Sequence, residues 1–278
     1  MTKRECEARR LQNTEKKDWG MLARRCALSA GKLIEEMLVH PLEVMYKTSS
    51  SDLVTSVDRA VEQMVIDEIF KVYPDHGILG EEGLVACEPS KFETVWMIDP
   101  IDGTTNFVHQ RQNYCVSIAA YHRGVCEVGV VYDPTRQELF YAERGGGIFL
   151  NDAPLRVKRN KEMKEALIST SLFWNRRAIK NGLSEKAQRL AHRARGVRIY
   201  GVAALELAYV AAGRLDAYIS PGLNAWDLGA GRLLVEESGC KISTIEGKEL
   251  PFAERTSVLA ANPNIYDFLL EFLTEHTV

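Results

Sequence analysis

The spacing of the apolar runs changes near residue 153, and this change constrains the fold more than any other feature of the sequence. Before it, three strand-like runs follow one another with only short turns between them, which predicts an antiparallel meander. These runs are Cys115–Tyr121, Val125–Tyr132 and Glu138–Glu143. After Pro154, strand-like runs alternate with helical patterns, as is typical of a layered α/β unit. We therefore expect an α+β half over residues 1–153 and an α/β half over residues 154–278, with no flexible linker between them.

Helical periodicity and turn signals predict the remaining elements. Amphipathic helices over Trp19–Val39, which Pro41 would stop, and over Val57–Tyr73 precede a buried strand at Val95–Ile98. The other expected strands are Leu42–Tyr46, Ile148–Asp152, Ala166–Thr170, Val197–Tyr200, Leu215–Ser220 and Ser257–Ala261. The other expected helices are Ser184–Ala194, Ala203–Ala212, Trp226–Gly239 and Ile265–His276, and Cys240–Leu250 is expected to form a hairpin.

Composition excludes several classes of protein. No apolar run approaches the roughly 20 residues that span a bilayer, and the Lys-, Arg- and Glu-rich residues 1–18 do not resemble a secretory signal. The six cysteines are scattered, without the spacing of a zinc site, so we expect free thiols and a cytoplasmic location. A formal net charge of −3 gives no general attraction to nucleic acid, which makes a nucleic-acid partner unlikely.

One stretch, Arg176 to Arg198, is strongly basic. Its simplest interpretation is a solvated helix with its flanking residues. Two sharper interpretations are a wall that contacts a phosphate-rich substrate and a docking face for a nucleic acid or a protein partner.

The segment Trp96 to Phe107 carries the strongest chemical signal. An apolar run leads into Asp99 and Asp102, which we expect to project from a turn at the end of the strand. Carboxylate oxygens in this arrangement suit Mg²⁺ better than zinc. Gly103 lets the backbone approach an anion, and Thr104 is expected to open a helix whose free N–H groups face a phosphate. The structural alternative is an ordinary Asp-Gly turn followed by a Thr N-cap.

Three further carboxylates stand at the ends of predicted elements: Asp58, Glu81 and Asp227. Each has a structural explanation, because Asp58 fits a capping box with Thr55, Asp227 fits a helix N-terminus, and the adjacent Glu81 and Glu82 fit a solvated loop. Taken with Asp99 and Asp102, however, they supply the oxygens that a site for several metal ions needs from separate segments.

These motifs resemble the inositol monophosphatase family of magnesium-dependent, lithium-sensitive phosphomonoesterases. The matching segments are Gly80-Glu81-Glu82, Trp96 to Phe107 and Trp226 to Gly231, in the order and at about the intervals of the family. The resemblance extends from about Trp19 to the C-terminal helix. It implies a layered αβαβα sandwich of the sugar-phosphatase type, commonly a homodimer, with the active site between the two halves.

The resemblance also implies roles for particular residues. Glu81, Asp99 and the backbone carbonyl of Ile101 would bind one Mg²⁺, Asp99, Asp102 and Asp227 a second, and Glu81 would take part in a weaker third site. Thr104, hydrogen-bonded to Asp58, would act with Glu81 to orient and deprotonate the attacking water. The Gly103 and Thr104 amides would hold phosphate, Asp102 would face a substrate hydroxyl, and Lys47 would lie in a mobile loop near the metals.

The substrate side departs from the inositol-specific members of that family. Their ring-binding Glu, seven residues before the Asp of the Trp-Asp motif, is Ser220 here, and their Gly-Thr-Ala is Gly201-Val202-Ala203. Loss of two polar partners weakens discrimination between polyols. Inositol monophosphate, another sugar or polyol phosphate, fructose 1,6-bisphosphate and the 2′-phosphate of NADP all stay open as substrates. The alternative of another class is a partner-binding, transcription-associated module with a residual metal site.

Overall fold

The computed structural model describes the backbone of residues 3–39, 44–46, 53–157 and 161–275. It describes side chains for residues 18–39, 45, 54–157 and 161–275. The helices are α1 (Lys3–Met37), α2 (Ser56–Val72), α3 (Thr104–Gln110), α4 (Arg176–Lys180), α5 (Leu183–Ala191), α6 (Ala203–Ala211), α7 (Ala225–Glu237) and α8 (Pro263–Thr274). The strands are β1 (Val44–Tyr46), β2 (Leu53–Thr55), β3 (Gly77–Gly80), β4 (Thr94–Asp102), β5 (Cys115–His122), β6 (Val125–Asp133), β7 (Glu138–Glu143), β8 (Gly147–Leu150), β9 (Ala153–Pro154), β10 (Leu167–Thr170), β11 (Gly196–Arg198), β12 (Ala217–Leu223), β13 (Lys241–Ser243) and β14 (Thr256–Ala261).

The first half builds a seven-stranded sheet in the order β3-β4-β5-β6-β7-β8-β9. Strands β3 and β4 are parallel, and every later pair is antiparallel, so the predicted meander is confirmed. Strands β4 to β6 are buried almost throughout, because helices cover both faces of the sheet.

The second half builds a five-stranded sheet in the order β11-β10-β12-β14-β13. The pairs β10–β11 and β10–β12 are parallel, as expected where helices connect successive strands, and β14 is antiparallel to both of its neighbours. The predicted alternation of strands and helices after Pro154 is therefore confirmed. The proposed boundary between residues 153 and 154 stays a prediction, and it falls inside the short strand β9.

Three apolar cores separate the layers. One core joins α1 and α2 to one face of the seven-stranded sheet. A second joins the opposite face of that sheet to α6 and α7 and then to the five-stranded sheet. The third packs the remaining face of the five-stranded sheet against α4, α5 and α8. The order of layers is therefore α, β, α, β, α, and the expected sandwich is confirmed.

Three local expectations need correction, and one helix is additional. The first helix begins at Lys3, well before Trp19. The prediction of a turn that begins at Asp99 is wrong, because β4 continues through Asp99 to Asp102 and the chain turns only at Gly103. The prediction of a hairpin over Cys240–Leu250 is wrong, because the strand in this segment, β13, pairs with β14 and not with the residues that follow Gly247. Helix α4 was not foreseen. Pro41 and Lys47 lie outside the described residues.

Two properties expected from composition can be compared with the structure. No helix in the described ranges is both long and apolar enough to cross a membrane. The cysteines whose side chains are described, at positions 26, 87, 115, 126 and 240, are free thiols.

Candidate active site

The carboxyl end of β4 places two of the predicted ligands side by side. The ladder between β4 and β5 shifts register between Asp99 and Asp102, and Pro100, which has no N–H to donate, lies in this irregular segment. The Ile101 amide donates a hydrogen bond to Asp99 Oδ1 at 3.1 Å, which fixes the Asp99 side chain. The strand irregularity therefore replaces the predicted turn as the device that aims both carboxylates.

Gly103 ends the strand in a conformation that favours glycine. Its φ is +90°, and a Cβ atom at this position would lie 2.8 Å from Val202 Cγ2 and 3.0 Å from the Asn113 carbonyl oxygen. Helix α3 begins at the next residue, Thr104, as the sequence predicts. The phosphate-binding role of the Gly103 and Thr104 amides stays a prediction.

Glu81 enters the site from the end of β3, and a buried carboxylate holds its loop. The Glu81 amide donates to the Ile98 carbonyl at 3.1 Å, which ties the loop to β4. Behind the loop, Glu62 accepts hydrogen bonds from the amides of Glu82 at 2.8 Å and Leu84 at 3.1 Å. The sequence analysis missed Glu62. Its signal is an acidic residue four positions after Asp58, on the buried face of α2.

Asp58 caps a helix and also contacts Thr104. As part of a capping box at the start of α2, its Oδ2 accepts from the Thr55 amide at 2.8 Å and from the Thr55 hydroxyl at 2.5 Å. Its Oδ1 lies 3.3 Å from the hydroxyl of Thr104, which also lies 3.0 Å from the Ile101 carbonyl oxygen. The cap therefore orients a carboxylate that reaches Thr104.

Asp227 likewise begins a helix and faces the other carboxylates. It forms a capping box with Asn224, whose amide donates to Asp227 Oδ2 at 2.8 Å. Its charge is close enough to Asp102 to raise the pKa of that group. The second half of the chain thus contributes a carboxylate to the cluster that the first half presents.

Burial and mutual repulsion raise the pKa values of these carboxyl groups. For Asp99, burial is the largest cause, followed by the charges of Glu81, Asp102 and Asp227, and its pKa lies well above the usual value. For Asp102 the pKa is raised by burial and then by the charge of Asp227. Burial raises the pKa of Asp227 to about 7, with Glu81 adding to the effect and Arg255 opposing it. A divalent cation would relieve this repulsion.

The donor set fits Mg²⁺. The side chains of Asp99 and Glu81 hydrogen-bond to each other, which requires a shared proton that a cation would displace. Within the described ranges, no three or more acidic, histidine or cysteine side chains are arranged as a cage that could hold a metal ion by themselves. Mg²⁺ does not need such a cage, because it usually keeps several waters and takes only one or two carboxylates plus substrate phosphate.

A cavity of about 270 Å³ opens beside Asp102. The predicted substrate residues Gly201, Val202, Ala203 and Ser220 line it together with Thr170, Ser171, Trp174, Ile199, Glu206, Tyr218, Gly222 and Leu223. The structure therefore brings five predicted residues, including Asp102, to one cavity. Their contacts with a substrate stay predictions.

The two positions that the sequence analysis singled out for substrate specificity, Val202 and Ser220, are both buried. Val202 is fully buried, and its methyl group packs against Gly103, so it borders the turn at Gly103 as well as the cavity. Ser220 is also buried, and it hydrogen-bonds to Tyr218. Gly201 has φ +73°, which permits the turn that leads into α6.

Glu206 and Asn106, which the sequence analysis did not single out, bind the backbone of Tyr200 next to the cavity. The Tyr200 amide donates to Glu206 Oε1 at 3.0 Å, and the Tyr200 carbonyl accepts from Asn106 Nδ2 at 2.7 Å. The same Asn106 nitrogen also donates to the Asn113 carbonyl at 2.9 Å. A third tie joins the Ala204 amide to Asp102 Oδ2 at 2.5 Å. The substrate wall is therefore fixed directly to the carboxylate motif.

Part of the basic stretch has a structural role. Lys186 is buried and donates to the Leu273 carbonyl at 2.7 Å, near the end of α8. The guanidinium groups of Arg189 and Arg193 lie 5.0 and 5.3 Å from the centre of the Phe272 ring. These contacts pack the end of α5 on α8, so the stretch is helical as expected, but at Lys186 it is buried and not solvated.

Comparison with known proteins identifies the family. The family model described as the inositol monophosphatase family matches residues 17–277. The inositol-1-monophosphatase of Bacillus subtilis is 41% identical over 253 residues, which cover 90% of this chain and 94% of that protein. The Nus factor SuhB of Pseudomonas aeruginosa is 40% identical and covers 92% of this chain and 95% of its own length. The structure of inositol monophosphatase II from Staphylococcus aureus superposes with a TM-score of 0.79 at 32% identity, over 91% of this chain and 95% of that one.

Proposed function

The chain belongs to the inositol monophosphatase family, and we propose that it is a Mg²⁺-dependent enzyme that hydrolyses inositol monophosphate or a related sugar or polyol phosphate. That it is a phosphoric monoester hydrolase follows from the family. The observation that carries the finer proposal is that Glu81, Asp99, Asp102 and Asp227 lie close enough for their charges to raise the pKa values of the three aspartates. A site with this charge and these oxygen donors is suited to a divalent cation and a phosphate ester.

The metal-binding residues would be Glu81, Asp99, Asp102, Asp227 and the Ile101 carbonyl, with two or three Mg²⁺ per site. When bound, Mg²⁺ would neutralise charge on the phosphate and assist ionisation of the attacking water and departure of the alcohol. The Ile101 carbonyl oxygen is already 3.0 Å from the Thr104 hydroxyl, so this group connects the metal-binding residues to the residues that handle the water.

The protein's own groups would hold the water and the phosphate. With its hydrogen donated to Asp58, the Thr104 hydroxyl can accept a hydrogen bond from the water through a lone pair. Asp58 has a pKa raised to about 6, mainly by burial, and is therefore mostly ionised and able to accept at neutral pH. Glu81 would take the proton from the water, and the amides of Gly103 and Thr104 would bind the phosphate oxygens.

The substrate would occupy the cavity beside Asp102, with Gly201, Val202, Ala203 and Ser220 along its wall. Asp227, whose charge acts on Asp102, would also contact it. We propose a tolerant site from the resemblance, because Val202 and Ser220 stand where inositol-specific members of the family have a hydroxyl donor and a ring-binding Glu. We also propose a cytoplasmic homodimer that lithium inhibits, on the strength of the family. A partner-binding role is the other class of function to test, since one relative is named a Nus factor.

The test is phosphate release from inositol 1-phosphate, fructose 1,6-bisphosphate, NADP and 3′-phosphoadenosine 5′-phosphate, each with Mg²⁺ and with EDTA. We expect turnover that EDTA abolishes and that Asp99→Asn reduces by at least about 100-fold. The matched control is Asp216→Asn, which also neutralises a buried aspartate but one that pairs with Lys161 away from the site. Magnesium binding without turnover on any ester would reject the enzyme proposal and favour the binding module.

A further inference from the structure

The geometry points to Trp174 as the residue that selects for a ring in the alcohol part of the substrate. This inference rests on the proposed function, because it assumes that the phosphate binds at the metal-binding residues. Trp174 lines the cavity beside Asp102, and it is 54% exposed. A large aromatic side chain left exposed in a cavity wall provides apolar surface that a ligand can cover.

Trp174 lies at the open end of this cavity. Of the described residues that line the cavity, only Trp174, Ile199 and Gly201 are exposed, and the others are buried or half-buried. Ile199 is 50% exposed, so two large apolar side chains border the opening. A substrate that fills the cavity from Asp102 outward therefore reaches Trp174.

The backbone on both sides holds Trp174 in this position. Leu172 is fully buried, and the Phe173 carbonyl accepts a hydrogen bond from the Ser184 hydroxyl at 3.0 Å. On the other side, Asn175 caps α4, and its side chain accepts hydrogen bonds from two amides in the first turn of that helix. The exposure of Trp174 is therefore fixed by its neighbours and does not come from a loosely held loop.

The indole ring of Trp174 also lacks the partners that other tryptophans of this protein have. Trp19 contacts the ring of His76, and the Trp96 indole N–H donates to His76 at 3.0 Å. In the described part of the chain, the Trp174 ring makes no hydrogen bond and no contact with a cation or another aromatic ring. Its apolar face is therefore available to a ligand.

The ligand that suits this face is the ring of a cyclic polyol. In such a ring the C–H bonds form an apolar face, which can pack on an indole while the hydroxyls remain hydrogen-bonded elsewhere. An open-chain polyol has no such fixed face, and it would lose several bond rotations in order to form one. Selection by Trp174 acts on the shape of the alcohol, so it is compatible with tolerance toward the arrangement of its hydroxyls.

The experiment compares kcat/KM for inositol 1-phosphate, which has a ring, with kcat/KM for glycerol 2-phosphate, which does not. In Trp174→Ala the ratio of the first to the second should fall by about tenfold, because a hydrophobic contact made only by the ring is lost. Trp174→Phe keeps a flat aromatic face and should restore most of the ratio. The matched control is Ile179→Ala, since Ile179 is apolar and 56% exposed but does not line the cavity. A general loss of stability would lower both rates and leave the ratio unchanged.

Two results overturn the inference. The first is a ratio in Trp174→Ala that matches the ratio in Ile179→Ala. If sedimentation equilibrium then shows that Trp174→Ala dissociates an oligomer, the exposed ring is a contact between two copies of the chain. The second is a ratio that Trp174→Phe lowers as much as Trp174→Ala does, because a flat aromatic face would then have no effect.

Failure of the proposed function gives a different result. If the wild type releases phosphate from no ester, the proposed function fails, and tryptophan fluorescence then tests Trp174 separately. In that assay, inositol 1-phosphate is added in the presence of Mg²⁺ to the wild type and to Trp174→Phe. A change in emission that is smaller in Trp174→Phe supports the contact, and equal changes, or no change in either protein, overturn it.

Discussion

Asp227→Asn should make the metal-free protein more stable at pH 8 and at the same time abolish its activity. Asp227 is held in a partly buried position in which its ionised form is disfavoured by burial and by the charge of Glu81. Asparagine removes the charge but keeps a side-chain oxygen that can accept the hydrogen bond from the Asn224 amide. The helix cap is therefore preserved, and the change isolates the electrostatic cost of the carboxylate.

The magnitude follows from the pKa of Asp227, which burial raises from 3.8 to about 7. Because the folded state holds this proton more tightly than the unfolded state, stability is lost as the pH rises from about 4 to 7. The pKa difference of about 3 units between the two states corresponds to a loss of about 4 kcal/mol in the free energy of unfolding, at 1.36 kcal/mol per unit. The neutral variant escapes this loss, so we expect it to gain up to about 4 kcal/mol at pH 8 and almost nothing at pH 4.

Urea unfolding in EDTA at both pH values measures the difference, and phosphate release with Mg²⁺ measures the loss of activity. Asp216→Asn is the matched control, because Asp216 is buried but paired with Lys161 and bonded to the Leu167 amide at 2.9 Å. Its neutralisation should leave stability unchanged or lower it by roughly 1–3 kcal/mol. If Asp227→Asn lowers stability at pH 8 as the control does, the repulsion argument is refuted.

Three further predictions follow from the site. Stability of the metal-free wild type should decline between about pH 4 and 7, since the pKa values of Asp58 and Asp227 are raised to about 6 and 7, and Mg²⁺ should reverse the decline in thermal unfolding; a flat profile in EDTA would contradict this. Glu206→Ala should raise KM by about tenfold, because the Tyr200 amide loses its acceptor, while Glu206→Gln should restore most of the affinity; equal KM values would show that the clamp does not position substrate. Lithium should inhibit phosphate release, and unchanged rates at high lithium would argue for a different arrangement of metal sites.

The sequence predicts the layers of this fold well because each layer has its own periodicity. The meander and the later alternation of strands and helices both appear in the residues themselves, and both are present. The errors occur where local signals point the wrong way. Asp-Pro-Ile-Asp reads as a turn, yet β5 continues to pair with β4 beyond Asp99 and keeps that segment in the sheet. The Glu246-Gly247 turn is present. The strand before it, β13, pairs with β14 and forms the edge of the five-stranded sheet.

The groups that support the site were harder to predict than its carboxylates. Asn106 and Glu206 are 100 residues apart, and only the folded chain shows that one binds the carbonyl and the other the amide of the same residue, Tyr200. Glu62 is similar, since its partners are backbone amides about 20 residues further along the chain. Backbone amides have no residue type, so a sequence does not reveal which side chain will bind them. Contacts of this kind depend on tertiary structure alone.

Asp58 and Asp227 show why the structural and functional interpretations of a motif need not compete. Each was predicted either to cap a helix or to serve a site, and the structure gives each a capping box. A carboxylate has two oxygens, and in Asp58 the cap uses Oδ2 while Oδ1 faces Thr104. The cap fixes the side-chain rotamer, so the second oxygen is held in place without further contacts. A helix N-terminus also favours a negative charge, which partly offsets the repulsion within the cluster. A capping box therefore leaves one aspartate oxygen in a fixed position, and evidence for the cap does not count against the proposed roles of Asp58 and Asp227.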